Sequence, residues 1–190
     1  MQNPPRFLPL LTSIIDAMDP YSVGHSERVA RLAMQLARKA GIRDNTPEMD
    51  DIELASLLHD IGKIRVPEAI RRFPGEYMPA ERIIMKQHPV FAMEFLEKAN
   101  GSISPHAKLY VKHHHEDWGG TGYPDRLQGD AIPYGARLIR ICDFFDARTH
   151  QRGYRPATPP DETLRVMMDE QVRQPWADPK LFRLFIEMME

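Results

Sequence analysis

Five histidines and two aspartates stand where a folded chain would turn them inward. His25 precedes Val29 by four residues and continues the apolar stripe of its segment, so its imidazole faces the interior. His59 and Asp60 close the most apolar stretch of the chain, and His88 follows Ile84 by four residues on the same face. His114 and His115 straddle an apolar side set by Ala107, Tyr110 and Val111, and Asp143 is flanked by Ile141, Cys142, Phe144 and Phe145. One core histidine bonded to a carbonyl is ordinary. Seven ionisable groups aimed at one interior are not, because each costs several kcal/mol unless paired, hydrogen-bonded or bound to metal. A bound cation relieves the whole set at once. Imidazole and carboxylate without thiolate suit iron, manganese, nickel or zinc, and seven donors suit two ions sharing a carboxylate. His113 points away from the apolar side at about 100° per residue and reads as a surface histidine, as do His106 and His150.

The elements that must position these groups are helical. Ser26–Ala40 carries apolar residues at Val29, Leu32, Ala33, Leu36 and Ala37, a period near 3.6 that ends at Gly41. Met49–Ile61 is apolar on most sides and predicts a central helix. Shorter helices are expected over Pro79–His88, Pro89–Lys98 and Pro105–His115, each opened by a proline, and a long buried one over Tyr134–His150. Phe7–Met18, with a stripe through Leu10, Leu11, Ile14 and Ile15, and Lys180–Met189 should close the core. Nothing alternates like a strand, and the fold class expected is an all-α bundle with a metal site in its core. The polar, proline-bearing Gln151–Pro160 reads as a linker.

The 190 residues, 42% hydrophobic, allow one domain with a small helical appendage. With 25 Lys+Arg against 27 Asp+Glu, bulk charge offers no attraction to a nucleic acid polymer or an acidic membrane, so an anionic ligand must be held locally. No apolar run is long enough to span a bilayer, and Met1–Leu10 lacks the order of a secretory signal. The single cysteine, Cys142, sits in an apolar run and reads as a buried hydrophobe in a reducing compartment. The expectation is a soluble cytoplasmic protein.

Leu58-His59-Asp60-Ile61-Gly62-Lys63 resembles the HDxGK motif of HD-domain phosphohydrolases. His114-His115-Glu116-Asp117-Trp118-Gly119-Gly120-Thr121-Gly122-Tyr123-Pro124 resembles the HHExxxGxGYP motif of the HD-GYP subfamily. Gly24-His25-Ser26, His88-Pro89, Ile132-Pro133 to Arg137 and Asp143-Phe144-Phe145-Asp146-Ala147 fall in that family's order, from about Pro20 to Arg155. The resemblance implies an HD-domain core over 20–155, an N-terminal helix within 1–19 packed on it, and C-terminal helices over 156–190 completing it. It implies one metal on His25, His59, Asp60 and Asp143 and another on Asp60, His88, His114 and His115, with Asp60 the bridge. It also implies hydrolysis of cyclic di-GMP or the related cyclic GMP-AMP to the linear dinucleotide or GMP by a hydroxide activated between two divalent ions, iron or manganese first, nickel or zinc as alternatives.

Lys63, one turn after His59 and Asp60, is placed to offer a point charge to a phosphate oxygen; its bland role is a helix C-cap. The Gly119–Pro124 loop could bring backbone N–H groups to phosphate. Tyr123 could stack on guanine, meet a signalling partner such as a diguanylate cyclase domain, or pack on Trp118. Arg152 and Arg155 resemble the family's RxYR segment and suit phosphate or a guanine edge. Three positions depart from the pattern: Gly119 where Asp is frequent, Phe73 where Lys is frequent, and Tyr21 where members with a third metal carry a carboxylate. The competing readings are an HD phosphohydrolase for another nucleotide, which would not need His88, His114, His115 or the loop, and a silent module that binds the dinucleotide or docks a partner.

Overall fold

The chain's computed structural model describes residues 8–18, 22–73, 75–99, 103–151 and 156–190, and every regular element among them is helical. In order these are α1 (Leu8–Met18), α2 (His25–Lys39), α3 (Pro47–Leu58), α4 (Glu68–Arg71), α5 (Pro79–Met85), α6 (His88–Glu97), α7 (Pro105–His113), α8 (Tyr134–Thr149), α9 (Pro160–Arg173) and α10 (Pro179–Met189). Two 3₁₀ turns, Ile61–Arg65 and Gly129–Ala131, lie between α3 and α4 and between α7 and α8.

Local chemistry sets the boundaries. Thr46 Oγ1 accepts the Met49 N–H at 3.3 Å and Pro47 opens α3, while Ser104 Oγ accepts the Ala107 N–H at 3.0 Å before Pro105 opens α7. Asp178 caps α10 by accepting from the N–H groups of Lys180 and Leu181. After Arg38 and Lys39, which suit the negative end of α2, Gly41 turns the chain at φ 94°.

Helix α8 is the hub. It packs on α2, α3, α7, α9 and α10, and Leu138, Ile139, Ile141 and Cys142 are wholly buried. Burial pushes the Cys142 thiol well above its ordinary pKa, which suits a core residue and not a nucleophile. The inner stripes of α2 (Val29, Ala33, Leu36) and α3 (Ile52, Ala55, Leu58) meet it.

The N-terminal stripe closes the core only in part. Ile15 is buried and Leu11 packs on the core, but Leu10 and Ile14 face outward, because α1 touches the Ile61–Arg65 turn, α2 and α3 along one edge. Helix α5 is shorter than its periodicity suggested and buries no residue at all. No helix among the described residues is long and apolar enough to cross a membrane.

Candidate metal centre

The seven ionisable groups come from helix ends and from the middle of α8. His25 begins α2, His59 and Asp60 follow α3, His88 begins α6 and not the end of α5, and His114 and His115 follow α7. Ends of four helices thus meet over one face of α8, where Asp143 sits. His25, His59 and Asp60 form one group and His88, His114 and His115 another, each with its donor atoms within 4.8 Å of one another. Asp60 lies between them. Its Oδ2 is 3.9 Å from His25 Nε2 and 3.5 Å from His59 Nε2, and its Oδ1 is 3.4 Å from His88 Nε2. Asp143 reaches His25 Nε2 at 3.1 Å and His115 Nδ1 at 4.0 Å.

Four of the five rings are aimed by their outer nitrogens. Nδ1 of His59, His88 and His114 donates to the carbonyls of Ser56, Met85 and Val111 at 2.7, 2.8 and 2.6 Å, and Nδ1 of His25 donates to Asp146 at 2.6 Å. Each bond to a carbonyl fixes the tautomer and leaves Nε2 of His59, His88 and His114 as an inward lone pair, while Nε2 of His25 lies 3.1 Å from Asp143 Oδ1. Nε2 of His59 is buried with no hydrogen-bond partner, and Nε2 of His88 and of His114 lie 3.3 Å apart. Orphaned lone pairs converging in this way fit a cation. Gly62 explains how the segments come so near: a Cβ there would fall 1.9 Å from the His88 carbonyl oxygen, so only glycine lets the turn after Asp60 press on α6.

Electrostatics agree with donor character. Burial lowers the pKa of His59, takes His88 down to about 4, and holds His114 and His115 well below the ordinary value, so all four are neutral near pH 7. Burial alone would raise Asp60 and Asp143. The Lys63 ammonium and adjacent histidines outweigh it at Asp60, and the His25 hydrogen bond and histidines do so at Asp143, leaving both well below the carboxylate range.

The substrate-side expectations divide. Lys63 Nζ sits 2.7 Å from Asp60 Oδ2, so it is paired with the shared carboxylate, at the margin of the centre. Tyr123 packs on neither Trp118 nor open solvent: its ring stacks on His115 at 4.7 Å with the Lys86 ammonium 5.0 Å over it. Within the glycine loop the amides of Gly119, Gly120 and Tyr123 are already bonded. Trp118 and Gly119 donate to the carbonyls of Trp176 and Pro175, Gly120 to Asp117 and Tyr123 to His115. A Cβ at Gly119 would lie 2.8 Å from the Pro175 oxygen, so the Asp frequent in the family could not be accommodated here without a shift. Arg152, Arg155 and Tyr21 lie outside the described residues.

His113 is buried and not a surface residue. The loop after α7 folds back over it and brings Glu116 Oε1 within 3.6 Å and Asp125 Oδ2 within 3.9 Å. His106 and His150 remain exposed, as expected. Two contributors escaped the periodicity. Asp146 is buried between His25, the Arg28 guanidinium (2.7 and 3.1 Å) and His150 (3.1 Å), and so orients the first histidine. Its sequence signals are its place one turn after Asp143 and its membership of the Asp143–Ala147 stretch that resembles the family. Glu116 accepts the N–H groups of Asp125 at 2.7 Å and Leu127 at 3.1 Å, which ties the loop to the end of α7.

A model of the HD domain matches residues 9–181. The chain belongs to the HD-domain family. It is 34% identical over 177 residues to a 3'3'-cGAMP-specific phosphodiesterase of Vibrio cholerae, matching 93% of this chain and 33% of that protein. It is 33% identical over 190 residues to a cyclic di-GMP phosphodiesterase of Pseudomonas aeruginosa, matching 98% of this chain and 43% of that one. The chain therefore spans less than half the length of these curated relatives. Among solved structures, Bd1817, an HDG"Y"P protein from Bdellovibrio bacteriovorus, shares the fold with a TM-score of 0.72 at 20% identity, over 96% of this chain and 60% of that one. The HD-GYP resemblance carried by the two motifs agrees with these kinships.

Proposed function

We propose that this HD-domain chain is a metal-dependent phosphodiesterase that hydrolyses a cyclic dinucleotide, cyclic di-GMP in the first place, to linear pGpG or on to GMP. The observation that carries the reading is the pair of buried donor groups joined through Asp60, with neutral imidazoles turned inward by their own outer hydrogen bonds. The names of the relatives supply the substrate class.

In this reading His25, His59, Asp60 and Asp143 hold one divalent ion and Asp60, His88, His114 and His115 the other, with iron or manganese preferred over nickel or zinc. Bound there, the ions would lower the pKa of the attacking water and take up charge on the phosphoryl oxygens. The chain's own groups do the rest. Lys63 keeps Asp60 ionised and stands at the margin, where its ammonium can meet a non-bridging phosphate oxygen. Asp146, clamped by Arg28, holds the His25 proton on Nδ1 and so keeps Nε2 a donor. His115 and Asp143 are the most accessible of the seven, with 18% and 11% of their side chains exposed, so the substrate phosphate enters beside them. Tyr123, stacked on His115, walls that entrance.

The test is hydrolysis of cyclic di-GMP by protein loaded in turn with iron and manganese, beside a His59→Ala/Asp60→Ala double variant. Linear product from the loaded wild type and none from the variant is expected. Binding without turnover under every metal would replace the enzyme by a receptor.

A further inference from the structure

Beside the entrance lies a cavity of about 300 Å³ that the catalytic reading does not use, lined by Asp117, Arg140, Glu170, Arg173, Gln174 and Trp176. Its inner wall belongs to the same edge of the molecule as the metal centre. Arg140 precedes Asp143 by one turn of α8, and Asp117 follows His115 by two residues. The positive charge of Arg140 is felt at both His115 and Tyr123. A phosphate at the centre would therefore have its nucleoside within reach of this wall.

The wall is preorganised. Arg140 donates through Nε and Nη2 to Asp117 Oδ1 at 3.1 and 3.0 Å, while Thr121 Oγ1 donates to Asp117 Oδ2 at 3.0 Å. The Arg140 guanidinium is fixed over the rings of Trp176 at 5.1 Å and Phe144 at 5.6 Å, which themselves stack. Arg173 stands on the outer wall and makes no ion pair or hydrogen bond among the described residues, and Glu170 is held by Arg148 at 3.0 Å. Fixed guanidinium and carboxylate side by side present donors next to acceptors.

We propose that this cavity is a subsite for a guanine base of the substrate, with Asp117 accepting from the N1–H and N2 amino group and the arginines donating to O6 and N7. The proposal rests on the phosphodiesterase reading and deepens it. Guanine offers adjacent donors on one edge and two acceptors on the other, and an arginine fork is the usual reader of O6 and N7. Adenine puts an amino group where O6 would be and a lone pair where N1–H would be, so the same wall repels it. Cyclic di-GMP and cyclic GMP-AMP both carry a guanine, whereas cyclic di-AMP carries none. The cavity thus predicts acceptance of the first two and rejection of the third.

The experiment is calorimetric titration of the full chain, stripped of metal by chelation, with GMP and with AMP, in parallel with turnover of bis(p-nitrophenyl) phosphate, which has no base. The wild type should prefer GMP by about tenfold or more. Asp117→Asn, which keeps size but replaces an acceptor by a donor, should erase that preference, and Arg173→Ala, at an exposed unpaired side chain, should weaken GMP several-fold and leave AMP unchanged. Equal binding of GMP and AMP by the wild type, or an undiminished preference in both variants, overturns the subsite. Loss of bis(p-nitrophenyl) phosphate turnover under every metal would instead strike the phosphodiesterase reading, and guanine preference in the stripped protein would stand apart from it.

Discussion

The two segments that border the entrance are built in opposite ways. Residues 114–127 are clamped: Glu116 holds the amides of Asp125 and Leu127, Asp117 is fixed by Arg140, and Trp118 and Gly119 are bonded to the carbonyls of Trp176 and Pro175. Residues 71–73 and 75–87 on the other side are laid over the surface, none of them buried. Helix α5 buries nothing, and Met78 and Ile83 are each 65% exposed. Both carry family motif positions, so the motif alone does not tell which wall is rigid. The difference shows that the connection between α9 and α10, remote in sequence, and Arg140 of α8 hold the clamped wall in place.

The largest effect should come from Gly122→Ala. A Cβ there would lie 2.3 Å from the Asp117 nitrogen and 2.5 Å from the His115 oxygen, both backbone, so the loop cannot close. A loss of about 3 kcal/mol or more, read as a fall in thermal midpoint of roughly 10 °C, is expected, and a smaller fall would mean that the wall is not clamped.

Acidification should act next, through the buried histidines. In the folded, metal-free chain His88 titrates at about 4 against an ordinary 6.5, so the unfolded state takes up the proton first. The stability this neutral imidazole contributes is complete above pH 6.5 and is lost as pH falls from there toward 4. Between pH 7 and pH 5 His88 alone should cost about 2 kcal/mol, and His59, His114 and His115 add in the same direction. Thermal melts of chelator-treated protein across that window check the sign; stability rising on acidification would refute it.

Asp146→Asn keeps the shape beside His25 but lets the ring turn, and metal affinity should fall about 10- to 100-fold with the fold intact. Titration with manganese measures it. The smallest effect belongs to the loose wall: Ile83→Ser should change stability by no more than about 0.5 kcal/mol, and a larger loss would show that α5 is packed after all.

Much of the centre could be read before any fold was in hand. The seven ionisable groups and their order follow from apolar spacing and from two motifs, because a buried charge at a core-facing position is a local signal, although His88 opens α6 and does not close α5. His113 shows where local signals end. A rotation of 100° per residue puts it outside α7 correctly, yet the loop closes over that outside. Tyr123 and the loop amides show the same limit: their partners, His115, Trp176 and Pro175, are chosen by how α7, α8 and the C-terminal helices meet.

The sequence by itself determined the seven inward-turned ionisable residues, the all-α class and the starts of α5, α7 and α8, since opening prolines and the 3.6-residue period act over a single turn. Only the tertiary structure decided that Asp146 aims His25, that the glycine loop is clamped through the amides of Gly119, Gly120 and Tyr123, and that Asp117, Arg140 and Arg173 share one cavity. Those facts depend on contacts between residues tens of positions apart, which no local pattern encodes.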